Sequence, residues 1–153
     1  RKFFAAVNSI YSRCKHCSDM VKLSLLETFC LPILLYVIES LDVSDSQMRE
    51  INSWWNSVYR KVFNYNKWES VKEIIFLCGR LNVPHLVNLR TILFVKNSCI
   101  GCNNQTFMNL LKYYTRGAEF CSVQDSYQIN VSWPFSKIKS AIYSSFKLYA
   151  NVA

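Results

Sequence analysis

The stretch SDSQMREINSWWNSVYRKVF, residues 44–63, decides the fold class. Ser44 and Gln47 have the spacing of a capping box, in which two side chains satisfy free backbone amides at a helix start. Apolar residues then recur at intervals of three and four, the spacing of one buried helix face. They are Met48, Ile51, Trp55, Val58, Tyr59 and Val62. The stretch therefore predicts a long amphipathic helix with one buried side.

Helical spacing continues on both sides of this stretch. It predicts further helices over residues 2–16, 18–40, 84–98, 105–116 and 136–149. Ser18 is suited to cap the second of these segments, because a serine oxygen accepts from the first amides of a helix. Pro32 is expected to break or kink the same segment, since proline supplies no backbone donor.

Two further segments carry weaker patterns. Ser70 and Glu73 have capping-box spacing and predict a short helix, which Gly79 would close in the left-handed conformation. Residues 117–136 are mixed and rich in Ser and Gln, so we expect a loop there, with one short strand around residues 127–131.

The composition supports an all-helical core. The chain is 51% apolar and 15% aromatic, and its 3 Gly and 3 Pro are too few for a turn-rich all-β fold. We therefore predict an all-α fold, an irregular bundle of about six to eight helices. Asn82-Val-Pro84 marks the clearest internal boundary, because Pro84 suits the first turn of a new helix. It divides the chain into helical subdomains 1–82 and 83–153.

Charge and hydropathy limit the partners. A net charge of +8 favours a polyanion such as nucleic acid or anionic lipid. The longest apolar run, residues 29–38, is shorter than the ~20 residues of a membrane-spanning helix, so no membrane partner is expected. No secretion signal precedes the seven cysteines, which favours reduced thiols and an intracellular location, cytoplasmic or nuclear.

Metal binding and catalysis find little support in the sequence. Cys14 with Cys17 and Cys99 with Cys102 form two CxxC pairs, which leaves zinc open as an alternative to core thiols. Their separation of about 80 residues exceeds the usual ~12–20 and favours core thiols. Two-metal chemistry needs closely placed carboxylates, and the nearest pair, Asp42 and Asp45, flanks the capping box, where acidic residues favour the helix terminus. The sequence contains no Asp-Asp dipeptide. We expect no catalytic residue and no metal site in this chain.

A basic and aromatic cluster is the remaining candidate site. It lies at the end of one predicted helix and the start of the next, and consists of Arg60, Lys61, Lys67, Lys72 and Trp68. Lysine and arginine neutralise phosphates and tryptophan stacks on bases, so the cluster is typical of a surface that follows a nucleic-acid backbone. Lys22, on the outward side of its predicted helix, is a weaker addition. The alternative is a solvated face with Trp68 packed into the core.

Three consecutive segments resemble a known family. They are RKFFAAVNSIYSRCK (1–15), VKLSLLETFCLPILLYVIESL (21–41) and INSWWNSVYRKVFNYNKWESV (51–71). In this order they resemble the region after the polymerase core of jockey-like non-LTR retrotransposon reverse transcriptases. The matching residues are Arg1, Phe3, Ala5, Asn8, Ile10, Leu25, Leu26, Pro32, Leu34, Tyr36, Glu39, Asn52, Trp55, Asn56, Arg60, Lys61, Phe63, Trp68, Glu69 and Ser70. The match covers residues 1–95. Val37 and Cys78 depart from the family pattern.

The resemblance implies a thumb region, over residues 1–82, followed by a helical extension. The family's Tyr-x-Asp-Asp motif, its other palm carboxylates and its endonuclease module are absent from this sequence, so it implies a non-catalytic fragment of an RNA-directed DNA polymerase. The implied partners are RNA or an RNA–DNA duplex and the missing polymerase palm domain, which would also hold the Mg²⁺. The competing hypothesis is a helical protein-interaction or scaffold module with no nucleic-acid role, in which Trp54, Trp55 and Trp68 form a core or a partner groove.

Overall fold

The computed structural model describes residues 2–40, 43–101 and 103–151. Within these ranges all regular structure is helical and no strand is present. The helices are α1 Lys2–Arg13, α2 Asp19–Phe29, α3 Leu31–Ser40, α4 Asp45–Phe63, α5 Lys72–Leu77, α6 Val83–Gly101, α7 Gln105–Arg116, α8 Ala118–Tyr127 and α9 Phe135–Ala150. Only Cys30 separates α2 from α3; with these two counted as one interrupted helix, the described residues form eight helices. The predicted all-α bundle is confirmed.

The interruption near Pro32 follows the prediction from the sequence. Ser18 caps α2 by accepting a hydrogen bond from the backbone amide of Val21. The helix ends at Phe29, and Pro32 lies in the first turn of α3, where its missing N–H costs least. None of the described helices is both long enough and apolar enough to cross a lipid bilayer.

Contacts between residues divide the chain into two units, Arg1–Pro84 and His85–Ala153. In the first unit, α2 packs against α1, α3 and α4. The core between them is aromatic: the Trp55 ring centroid lies 5.9 Å from that of Tyr59 and 6.4 Å from that of Phe3. All three side chains are buried. Of the six apolar residues predicted to be buried in α4, five are buried and Met48 is half-buried.

Both ends of α4 are defined by local hydrogen bonds. The predicted capping box is present, since Ser44 and Gln47 bond reciprocally at the start of the helix. At the other end Asn64 adopts the left-handed conformation, with φ of 56°, and its N–H bonds to the carbonyl of Arg60. The amide of Tyr65 bonds to the same carbonyl at 2.9 Å. This reversal turns the following loop back along the end of α4.

The second predicted capping box is wrong. The helix begins at Lys72, one residue later than a cap at Ser70 would place it, and Val71 at its start makes no side-chain cap. Ser70 Oγ instead accepts from the amide of Lys72 at 3.5 Å, a local turn contact that competes with capping. Gly79 does adopt the predicted left-handed conformation, with φ of 67°.

In the second unit α8 packs against both α7 and α9. The loop and strand predicted for residues 117–136 are wrong over the first part, which forms α8. Phe120 is buried and its ring lies 5.5 Å from that of Tyr114, so one aromatic anchor holds a helix whose remaining sequence lacks a regular apolar stripe. The segment after Gln128 is irregular rather than a strand.

Helix ends elsewhere differ little from expectation. The bounds of α7 are those predicted, and α9 is one residue longer at each end. The first helix stops at Arg13 rather than residue 16, because the chain enters a turn in which the amide of Cys17 bonds to the carbonyl of Cys14. The one-residue shifts of α9 are within the ambiguity of any helix boundary.

Candidate nucleic-acid interface

The exposed side of α4 and the loop after it form one pocket, which we call the α4 pocket. Its volume is about 430 Å³, and it is lined by Ser53, Ser57, Arg60, Lys61, Tyr65 and Lys67. Positions 53, 57, 60 and 61 share one face of a helix with 3.6 residues per turn. The left-handed residue at the end of α4 brings the loop residues to the same place. The structure thus brings together three predicted site residues, Arg60, Lys61 and Lys67.

Arg60 is fixed by the loop that it faces. Its Nε donates a hydrogen bond of 3.0 Å to the carbonyl oxygen of Glu69. The Glu69 carboxylate accepts from the backbone amide of Asn66 at 2.6 Å and from its side-chain amide at 3.0 Å. These hydrogen bonds lower the pKa of Glu69, so the carboxylate stays ionised and is engaged by neutral donors.

Lys61 is held against α1. Its Nζ donates to Asn8 Oδ1 at 2.9 Å and lies 4.5 Å from the centroid of the Tyr11 ring, a cation–π distance. The Tyr11 hydroxyl donates to the carbonyl oxygen of Lys61. Burial raises the pKa of Tyr11, which keeps this phenol protonated as a donor. The position of the Lys61 ammonium is therefore set by contacts with two residues of α1.

Lys22 differs from the three pocket cations. It does not line the α4 pocket. Its Nζ forms an ion pair of 3.1 Å with Asp19, although it also lies 5.9 Å from the Tyr11 ring centroid. In the described part of the chain, Arg60, Lys61 and Lys67 form no such ion pair with a carboxylate. The charge of Lys22 is offset locally, whereas the pocket cations keep theirs.

Trp68 lies on the surface, with 83% of its side chain exposed. The alternative expectation that Trp68 packs into the core is wrong. Trp55 is the core tryptophan, at 1% exposure, and Trp54 is half-buried with its ring 6.0 Å from that of Phe4. Trp68 follows Lys67 directly in the sequence and is not one of the residues that line the α4 pocket.

The hydroxyl groups of the α4 pocket were not predicted from the sequence. Ser53 and Ser57 occupy successive turns of α4, and Tyr65 follows its left-handed end. Ser57 Oγ donates a hydrogen bond of 2.6 Å to the carbonyl oxygen of Trp54. The signal was present as the spacing of 53, 57 and 60, which repeats at one helical turn.

The cysteines do not assemble a metal site in the described ranges. Cys14 and Cys17 are near neighbours, and burial is the main cause that raises the pKa of the Cys14 thiol, followed by its hydrogen bond to Cys17. Across residues 2–40, 43–101 and 103–151 no group of three or more His, Cys, Asp or Glu side chains has the geometry to hold a metal ion. Asp42 and Cys102 lie outside these ranges.

Comparisons with protein-family models, curated proteins and solved structures found no significant match to this chain. The family resemblance seen in the three N-terminal segments stays a prediction. A proposal for the function therefore depends on the arrangement of residues around α4.

Proposed function

We propose that the N-terminal unit is the thumb region of a non-LTR retrotransposon reverse transcriptase, which holds the template–primer duplex through its sugar-phosphate backbone. The observation that carries this proposal is the α4 pocket, where Arg60, Lys61 and Lys67 converge and, in the described chain, none of them forms an ion pair with a carboxylate. Three cations around one concavity match the spaced negative charges of a phosphate backbone.

The mechanism is electrostatic rather than chemical. Cationic side chains displace condensed counterions from the duplex, and the release of these ions favours binding. Contacts of this kind fix position but do not read sequence. Trp68, exposed beside Lys67, supplies a face for stacking on a terminal base or a sugar. Catalysis and its Mg²⁺ belong to the polymerase palm, which is the protein partner of this proposal.

The contacts that hold the cations also favour binding. Arg60 and Lys61 are each tied to a neighbouring group before any ligand arrives. Side chains that are already ordered lose less conformational entropy on association, where each mobile side chain costs about 0.5–1.5 kcal/mol. Lys22 contributes less, because its ammonium is paired with Asp19.

The salt dependence of binding tests the proposal. Affinity for an RNA–DNA duplex is measured between 50 and 200 mM salt by fluorescence anisotropy, for the wild type and for the Arg60→Ala/Lys61→Ala double variant. The slope of log K against log salt is expected to become shallower by about two, since two phosphate contacts are lost. The matched control is Lys139→Ala/Lys147→Ala, which removes the same charge from exposed positions of α9.

Two outcomes would contradict the proposal. The first is absence of binding at 50 mM salt, or binding that does not respond to salt. The second is an equal loss of slope in the α9 control, which would show diffuse attraction to a basic protein. Because Lys61 also contacts α1, circular dichroism of the double variant is needed to establish that it is folded.

The protein-interaction module remains a second candidate because of one observation in the C-terminal unit. Several large apolar side chains there are more than half exposed: Phe94, Ile100, Leu110, Tyr113 and Leu148. Exposed apolar surface is typical of protein contacts. A gel shift with an RNA–DNA duplex and with heparin as competitor separates the candidates, since an interaction module without a nucleic-acid role gives no shift.

A further inference from the structure

The three cations of the α4 pocket account for the proposed binding of phosphate, but the hydroxyl groups of the pocket have no role in it. Arginine and lysine side chains only donate hydrogen bonds, and phosphodiester oxygens only accept them. Arg60, Lys61 and Lys67 are therefore complementary to phosphate. The pocket also carries hydroxyls from Ser53, Ser57 and Tyr65, and the hydrogen bond of Ser57 indicates which further group fits.

Ser57 faces the pocket as an acceptor. Its Oγ lies 2.6 Å from the carbonyl oxygen of Trp54, and a carbonyl oxygen can only accept. The single hydroxyl hydrogen of Ser57 is therefore used, and only lone pairs remain for a ligand. A phosphodiester has no hydrogen to donate to them. A ligand that carries a donor close to its phosphate would be complementary to these lone pairs.

In a nucleic-acid backbone the 2′-hydroxyl of ribose is that donor, and deoxyribose lacks it. We infer that the α4 pocket binds a ribose-phosphate unit of an RNA strand, with the phosphate at Arg60, Lys61 and Lys67 and the 2′-hydroxyl donating to Ser57. The pocket volume of about 430 Å³ leaves room for one such unit. The inference rests on the proposed function and adds to it a preference for ribose.

The test uses two hybrids that differ in one substituent per nucleotide of one strand. Both contain the same DNA strand; one carries an RNA strand and the other the same strand with 2′-fluoro in place of each 2′-hydroxyl. Fluorine keeps the charge and the A-like form and cannot donate. The full chain is expected to bind the ribose hybrid about two- to tenfold more tightly, the ratio that one net hydrogen bond provides.

Ser57→Ala assigns the preference to this pocket. Alanine removes the acceptor at an exposed helix position, and the affinity ratio of ribose to fluoro hybrid is expected to fall to about one. Ser126→Ala is the matched control: Ser126 Oγ donates to the carbonyl of Val123 at 2.8 Å in the same local geometry, but in α8. This control is expected to keep the wild-type ratio.

The outcomes separate this inference from the proposed function. Equal wild-type affinity for both hybrids, with the salt dependence intact, overturns the ribose contact and leaves backbone binding in place. A preference that survives Ser57→Ala overturns it as well, because the hydroxyl is then read elsewhere. Complete displacement of the hybrid by equimolar free ribonucleoside monophosphate identifies a mononucleotide site instead of a strand site. Absence of binding to either hybrid overturns both proposals.

Discussion

Acidification is expected to destabilise the C-terminal unit through His85. The imidazole lies among three aromatic rings, with centroid distances of 5.8 Å to Tyr127, 5.1 Å to Phe146 and 5.5 Å to Tyr149. Burial among these rings lowers the pKa of His85 from 6.5 to about 4. The folded unit therefore holds a neutral histidine at a pH where the unfolded chain carries a charged one.

The magnitude follows from proton linkage. Above pH 6.5 both states are neutral and the contribution of His85 to stability is fully present. As the pH falls from 6.5 towards 4, the unfolded state alone binds the proton, and stability is lost at up to about 1.4 kcal/mol per pH unit. The full difference between a pKa of 6.5 and one of about 4 would correspond to a loss of about 3.5 kcal/mol. We expect roughly 2–3 kcal/mol, because solvent partly stabilises the charged form of an imidazole that is not completely buried.

Urea denaturation followed by circular dichroism at pH 7, 6 and 5, at constant ionic strength, measures this loss. The comparison variant is His85→Gln, which cannot titrate; carboxylates contribute equally to both proteins, so the difference isolates His85. The wild type is expected to lose stability more steeply than the variant. Attraction of an imidazolium to the ring faces, worth about 0.5–2 kcal/mol, opposes the cost of burial. Parallel pH profiles, or a wild type that becomes relatively more stable in acid, would show that burial does not dominate.

Two further predictions concern stability. Trp55→Ala removes the largest buried side chain of the N-terminal unit and is expected to cost about 3–5 kcal/mol in urea unfolding, whereas Trp68→Ala, at an exposed position, is expected to change stability by less than about 0.5 kcal/mol; similar losses in both would place Trp68 in a core. Ser44→Ala breaks the capping box of α4 and is expected to cost about 1 kcal/mol, a fall in Tm of about 2–4 °C, and an unchanged Tm would mean that the cap contributes nothing.

Features set by local chemistry were predictable from the sequence. Ser18 and Ser44 each cap a helix as expected, because a capping hydrogen bond spans only three residues. The left-handed Gly79 belongs to the same class. Ser70 shows the limit of such signals, since its hydroxyl had two local partners available and the turn contact was formed instead of the cap.

Features that depend on distant residues were not predictable. The helix over Ala118–Tyr127 is held by burial of Phe120 against another helix, which no local pattern reports. At the candidate site, proximity along the chain was enough to group Arg60, Lys61 and Lys67. The contact of Lys61 with Asn8 joins residues 53 positions apart, and no periodicity in the sequence indicates it.

The same helix supplies both the core and the proposed binding surface. Trp55, Tyr59 and Val62 lie on the buried face of α4, while Ser53, Ser57 and Lys61 lie on the exposed one. Burial of the first set fixes the rotation of the helix about its axis, and this rotation places the second set on one side. The packing that stabilises the unit therefore also aligns the side of the pocket that α4 contributes. A substitution that loosens the α4 core is then expected to weaken binding, even when it changes no residue that contacts the ligand. The reason is that the exposed side chains of α4 are no longer held at fixed positions.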